Sequence, residues 1–227
     1  MTAILAPSRL KLPYVESTIG RKAVMAVTGV ILFGFVLGHL AGNLTLYLGP
    51  EAINGYGRFL RTFFHGAALW IVRATLLTSA VLHVWAATSL TLDSWAARPR
   101  GYRRWKAKDS TYASRTMRWG GVILVAFIGF HILHLTLGRM HPDFREADVY
   151  HNVVAGFRVW PVSLFYLVAM LCLALHLDHG VWSMLQTLGL SHPRYQRWAR
   201  RAARAFAIVV GLGNCSFPIA VLAGWVR

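Results

Sequence analysis

Residues 23–48 read AVMAVTGVILFGFVLGHLAGNLTLYL, with no Asp, Glu, Lys or Arg and one histidine, His39, well inside the run. A stretch of that length exceeds the roughly 20 apolar residues an α-helix needs to cross the hydrocarbon of a bilayer. Four more blocks of the same kind follow at about 66–92, 119–138, 162–186 and 204–225, joined by short polar stretches. The expected fold class is therefore an all-α integral membrane protein, a five-helix transmembrane bundle. Residues 1–227 are expected to form one domain with no soluble part. Composition agrees: of 227 residues 56% are hydrophobic and 14% charged, too apolar for a soluble domain of this size. Pro7, Arg9, Lys11, Pro13 and Glu16 interrupt any signal-peptide core, so the first span is expected to stay in the mature protein.

The net charge of +16 would suit a nucleic-acid binder, but its location says otherwise. Most of the basic residues fall in three places: Arg9, Lys11, Arg21 and Lys22 before span one, Arg98 to Arg118 between spans two and three, and Arg194 to Arg204 between spans four and five. The other two loops mix Arg58, Arg61, Arg139, Arg145 and Arg158 with Glu51, Asp143, Glu146 and Asp148. This alternation is what the positive-inside rule produces for five spans, with the N-terminus in the cytoplasm and the C-terminus outside. Attraction to anionic lipid or an acidic partner comes second, and no nucleic acid is expected.

Four spans carry a histidine deep inside: His39, His83, His131 and His176. An imidazole in hydrocarbon needs a partner, because an unpaired polar group there is costly. With a rise of about 1.5 Å per residue, His39 lies about 24 Å from the cytoplasmic end, His131 about 18 Å, His176 about 15 Å and His83 about 13 Å. These depths divide into an outer pair, His39 with His131, and an inner pair, His83 with His176. Each pair suits a haem b whose iron takes one imidazole from each side. A lone membrane histidine more often bonds a neighbouring helix, but four on four spans at two depths favour iron. His134 competes with His131, since it is three residues on and about 22 Å deep.

Each ligand needs its second ring nitrogen oriented. Ser79 and Thr88 are nominated for His83, and Asn43 for His39. Gly34, Gly38 and Gly42 make a smooth stripe on span one, suited either to a flat macrocycle or to small-residue helix packing. Arg73, inside span two near its outer end, is assigned to the propionates of the outer haem or to the outer headgroups. His179 is assigned to a propionate or a quinone. Asp178 stays neutral, pairs with a cation or carries protons. His65, His141, His151 and His192 read as solvated surface. Cys172 and Cys215 lie in spans, and the absence of a C-x-x-C-H run excludes covalent haem attachment by motif.

Ser17-Thr-Ile-Gly20-Arg21-Lys22, with Gly38-His39-Leu40-Ala41-Gly42-Asn43-Leu44 after it, resembles the start of the cytochrome b subunit of succinate dehydrogenases and fumarate reductases, of the single-subunit, five-helix, two-haem type. Leu175-His176-Leu177-Asp178-His179-Gly180-Val181-Trp182-Ser183 resembles that family's fourth-helix signature, and His83 and His131 fall where its second and third helices carry ligands. The resemblance implies metal ligation by His83 with His176 on the cytoplasmic side and by His39 with His131 on the outer side. It implies a flavoprotein subunit that oxidises succinate, an iron–sulfur subunit docked on the cytoplasmic face, and a membrane quinone, menaquinone, as substrate, all in the bacterial cytoplasmic (inner) membrane. Some members place an acidic residue near the outer end of the second helix. Phe63 to Trp70 hold none here, which speaks against an outer quinone site of that kind and turns attention to an inner one near Ser17, Arg21, Trp182 and Ser183. The Gly-x-Trp-Ser signature separates this reading from the cytochrome b of a hydrogenase or formate dehydrogenase. A haem-free proton-coupled transporter would be colourless.

Overall fold

The computed structural model describes residues 17–97 and 111–227. The basic residues before Ser17 and the stretch from Arg98 to Lys108 lie outside the described residues. Seven α-helices are described: α1 (Thr18–Asn43), α2 (Pro50–Thr62), α3 (Ala67–Ala96), α4 (Tyr112–His131), α5 (Val149–Arg158), α6 (Trp160–Thr187) and α7 (Gln196–Leu222). Five of them, α1, α3, α4, α6 and α7, are long and apolar enough to cross a membrane. No strand occurs among the described residues.

Local chemistry sets the helix ends. The Ser17 hydroxyl accepts from the Gly20 N–H at 3.0 Å, and the Thr111 hydroxyl accepts from Ser114 at 3.1 Å. Each satisfies one of the four N–H groups that a helix start leaves unpaired. Pro161 opens α6, where its missing N–H costs nothing. Past His131, α4 continues as a π-helical turn over Ile132–Thr136.

Each span read from sequence overlaps one of these helices, but α4 begins seven residues and α7 eight residues earlier than expected, and the first and third loops differ more. Both were expected to be short polar connectors, and both fold. Helix α2 begins at Pro50 with Glu51 in its first turn, and α5 is capped by Asp148, whose carboxylate accepts from the His151 N–H at 3.1 Å. Asn54 joins them: its amide donates to Asp148 at 3.0 Å, and its carbonyl accepts from the Tyr150 N–H at 3.0 Å. Ile53, Val154 and Phe157 turn inward to the core. The two loop helices thus form a cap over one end of the bundle.

The most extensive helix contact is between α6 and α7; next come two antiparallel hairpins, α1 with α3 and α4 with α6, and α7 also touches α1. The α6–α7 contact includes Gly211 against Ala174, and α7 meets α1 where Phe33 lies 4.2 Å from Phe206, ring centre to ring centre. Large apolar side chains elsewhere on the long helices face outward. Trp95, Trp119 and Trp198 are exposed toward one end, and Trp70, Trp160 and Trp225 toward the other, as aromatic belts at two membrane interfaces would be.

Candidate functional site: two histidine pairs between the hairpins

Each pair takes one histidine from each hairpin. His39 of α1 faces His131 of α4 with ring centres 5.8 Å apart and planes at 88°. His83 of α3 faces His176 of α6 at 6.2 Å and 58°. No hydrogen bond joins the rings within either pair among the described residues. Tyr166, which touches His131, is ten residues before His176 on α6, so the pairs are separated by about 15 Å along the bundle.

The inner pair is braced by main chain. His83 Nδ1 lies 3.1 Å from the Met25 carbonyl oxygen and 3.2 Å from Thr28 Oγ1. A carbonyl only accepts, so Nδ1 carries the proton and Nε2 is left with its lone pair. Thr28 gives its own proton to the Val24 carbonyl at 2.7 Å and therefore also accepts from His83. The nominated partners Ser79 and Thr88 make no such bond: they sit on His83's own helix, while the groove for Nδ1 is on α1. Gly29 borders the same ring, and a Cβ there would make only ordinary contact with it at 3.7 Å. Opposite, His176 Nδ1 is buried with no partner among the described residues. A cleft of about 170 Å³ lined by Gly120, Ile123, Leu175 and His176 opens between α4 and α6.

Side chains brace the outer pair. The Tyr166 hydroxyl lies 3.2 Å from His131 Nδ1 and 3.0 Å from His134 Nδ1. Tyr166 is itself buried among Phe127, Phe130 and Phe157. His134 does not face His39. It is fully buried and turns toward α5, where its ring lies against Gly156 and stacks on His141 at 4.9 Å. His39 stacks on Phe35 at 5.1 Å and has no hydrogen-bond partner among the described residues, so Asn43 does not orient it.

The glycine stripe on α1 divides. A Cβ at Gly42 would run into the Tyr56 ring of α2, so that glycine serves helix packing, while Gly34 and Gly38 face open space. Gly120 and Gly121 on α4 are equally open. Arg73 is exposed, with its guanidinium over Trp70 at 5.1 Å. Carried along α1 and α3 from the Thr28–His83 contact, it stands within about a turn of Gly38.

At the opposite end, Ser17 caps α1 and Arg21 forms an ion pair with Asp93 at the foot of α3, 2.7 Å apart. Trp182 is buried, and Arg200 of α7 lies over its ring at 4.8 Å, while the Ser183 carbonyl accepts from Thr187. These four residues share an end of the bundle but lean on different neighbours. Asp178 pairs with a cation, Arg204, at 3.3 Å. His179 on the same turn is half-buried.

His141 is not plain solvated surface. Its Nε2–H donates to the Asn152 carbonyl at 2.7 Å, and its Nδ1 accepts from the Asp143 N–H at 3.1 Å. His151 makes a 2.8 Å contact with Asp143. Asp148 in the cap has its carboxyl held below the usual carboxylate range, first by the His151 N–H and then by the Asn54 amide.

Five apolar spans with imidazoles meeting at two levels define a multi-pass helical membrane protein built around paired histidines. The chain belongs to the succinate dehydrogenase/fumarate reductase transmembrane subunit family, which matches residues 96–213. That stretch holds His131 and His176, and His39 and His83 precede it. A relative, the succinate dehydrogenase cytochrome b558 subunit of Bacillus subtilis (strain 168), is 27% identical over 177 residues, 76% of this chain and 81% of the relative. No solved structure matches.

Proposed function

We propose that this chain is the membrane-anchor cytochrome b of a succinate:quinone oxidoreductase, and that it holds two b haems between its hairpins. His83 and His176 would ligate the inner one, and His39 and His131 the outer. The single observation that carries this reading is the meeting of both histidine pairs at 5.8 and 6.2 Å without a hydrogen bond between the rings. Two metal–imidazole bonds of about 2 Å each, plus about 1 Å from each ligating nitrogen to its ring centre, span about that distance. Three further features fit the group. Among the described residues the His176 Nδ1 is orphaned and the Gly34, Gly38, Gly120 and Gly121 faces are open, and His83 is locked in the tautomer that leaves Nε2 free.

A bound b haem supplies one-electron transfer at a potential set by its surroundings. This chain's residues supply the rest. The paired imidazoles leave no open metal position, which suits electron transfer rather than oxygen chemistry. Arg73, near the level of Gly38, is placed to meet an outer propionate, and His179, one turn past His176, an inner propionate or the quinone. The quinone, menaquinone in this reading, is assigned to the inner end, where Ser17, Arg21 and Ser183 offer donors and Trp182 a flat wall. In the assembled enzyme the flavoprotein subunit oxidises succinate and the iron–sulfur subunit meets the basic face of this chain. That face is cytoplasmic, which puts the N-terminus in the cytoplasm of a bacterium and the histidine-braced cap outside its inner membrane. The bundle acts as one domain throughout.

The test is a reduced-minus-oxidised spectrum with haem quantified per polypeptide on the full chain purified from membranes. Two b haems per chain are expected. A colourless, folded protein would overturn the reading, and a single haem would remove one of the two sites.

A further inference from the structure

Among the described residues Tyr166 has no polar partner other than two imidazoles, and a hydroxyl owns one proton. If His131 binds metal through Nε2, its Nδ1 carries a proton and donates to the Tyr166 oxygen. The Tyr166 O–H must then be spent on the other neighbour, His134 Nδ1, 3.0 Å away. His134 in turn is held by the cap. Its ring lies flat on His141, which is fixed through Asn152, and rests against the backbone of α5 at Gly156, where a Cβ would come within 2.8 Å of Nε2.

The geometry points to Tyr166 as a positioning residue for the outer metal ligand, with His134 as the acceptor that sets the direction of its hydroxyl. The chain His131–Tyr166–His134 thereby ties the outer site to the loop helix α5. This inference rests on the haem-binding reading above. It gives His134 a part that is not ligation, and it accounts for a fully buried histidine that faces away from His39. A hydroxyl that donates onward is a better acceptor, because hydrogen bonds in series polarise one another. The bond from His131 Nδ1–H raises the basicity of the ligating nitrogen, which stabilises oxidised iron.

The experiment is a redox titration of the full chain in membranes, with haem counted per polypeptide, for wild type, Tyr166→Phe and Gly156→Ala. The outer haem is identified as the one missing in His39→Ala. Tyr166→Phe keeps the ring packing and removes the hydroxyl. The outer haem's midpoint potential is expected to rise and its affinity to fall about tenfold, while the inner haem stays unchanged and reports that the bundle is folded. Loss of the outer haem alone, with the inner one retained, supports the same assignment. Gly156→Ala displaces His134 without touching the ligand and is expected to shift the outer potential the same way by less. Two retained haems with unmoved potentials in Tyr166→Phe would overturn the inference and leave the function standing. A wild-type chain without haem would overturn both.

Discussion

The inner and outer histidine pairs differ in what holds them. His83 is fixed by a main-chain carbonyl, that of Met25, with Thr28 in support, so no side-chain replacement at residue 25 removes its principal acceptor. His131 is fixed by a side chain, Tyr166, which depends on a second side chain, His134. A backbone brace is insensitive to substitution and carries no message from elsewhere. A side-chain brace is open to change and connects the outer pair to the cap formed by α2 and α5. Under the proposed function, the same ligand chemistry would therefore be built rigidly at one level of the membrane and adjustably at the other.

The largest expected effects come from the ligands. His83→Ala and His176→Ala are each expected to lose the inner haem alone, and His39→Ala and His131→Ala the outer haem alone, halving haem per polypeptide in every case. A His134→Ala variant that lost the outer haem while His131→Ala kept it would reverse the assignment on α4. A smaller effect separates the two braces. Thr28→Val removes the auxiliary acceptor of His83 but keeps the Met25 carbonyl, so the inner haem should be retained at full stoichiometry, its potential moving less than the outer one does in Tyr166→Phe. Equal shifts measured in the two variants would erase the distinction between the braces.

The smallest effect lies in the cap. Asp148→Ala removes an N-cap and is expected to cost about 1 kcal/mol, read as a lower unfolding midpoint. The folded-state carboxyl titrates below its ordinary value of 3.8, so its contribution is fully present above that pH and is lost as pH falls through the lowered value. In detergent above pH 5 the wild type should therefore show no pH dependence from this group, and the variant should show none of the wild type's acid-side loss.

The five spans are legible because hydrocarbon demands long runs of apolar residues, and the bundle's exposed Leu, Val and Trp side chains answer to the same demand. The loop helices are less so, although their signals are present. Pro50 with Glu51 marks a helix start, and Asp148 precedes apolar positions Val149, Val153 and Phe157 at helical spacing. Among site residues, His39, His83, His131 and His176 stand out as polar groups inside apolar runs. Tyr166 carried a fainter version of the same signal, a hydroxyl in mid-span that must find a partner. The Met25 carbonyl carried none, since every residue has one.

The amino-acid sequence by itself determined that the chain crosses the membrane five times and where along each span an imidazole sits, because hydropathy and the rise of a helix are local properties. Only the tertiary structure decided which way each ring turns: His131 toward His39, His134 toward Gly156 and His141, and His83 onto the backbone of α1. Rotation about a helix axis and the choice of acceptor are set by packing between helices, and in these spans, apolar on most faces, periodicity leaves that rotation open.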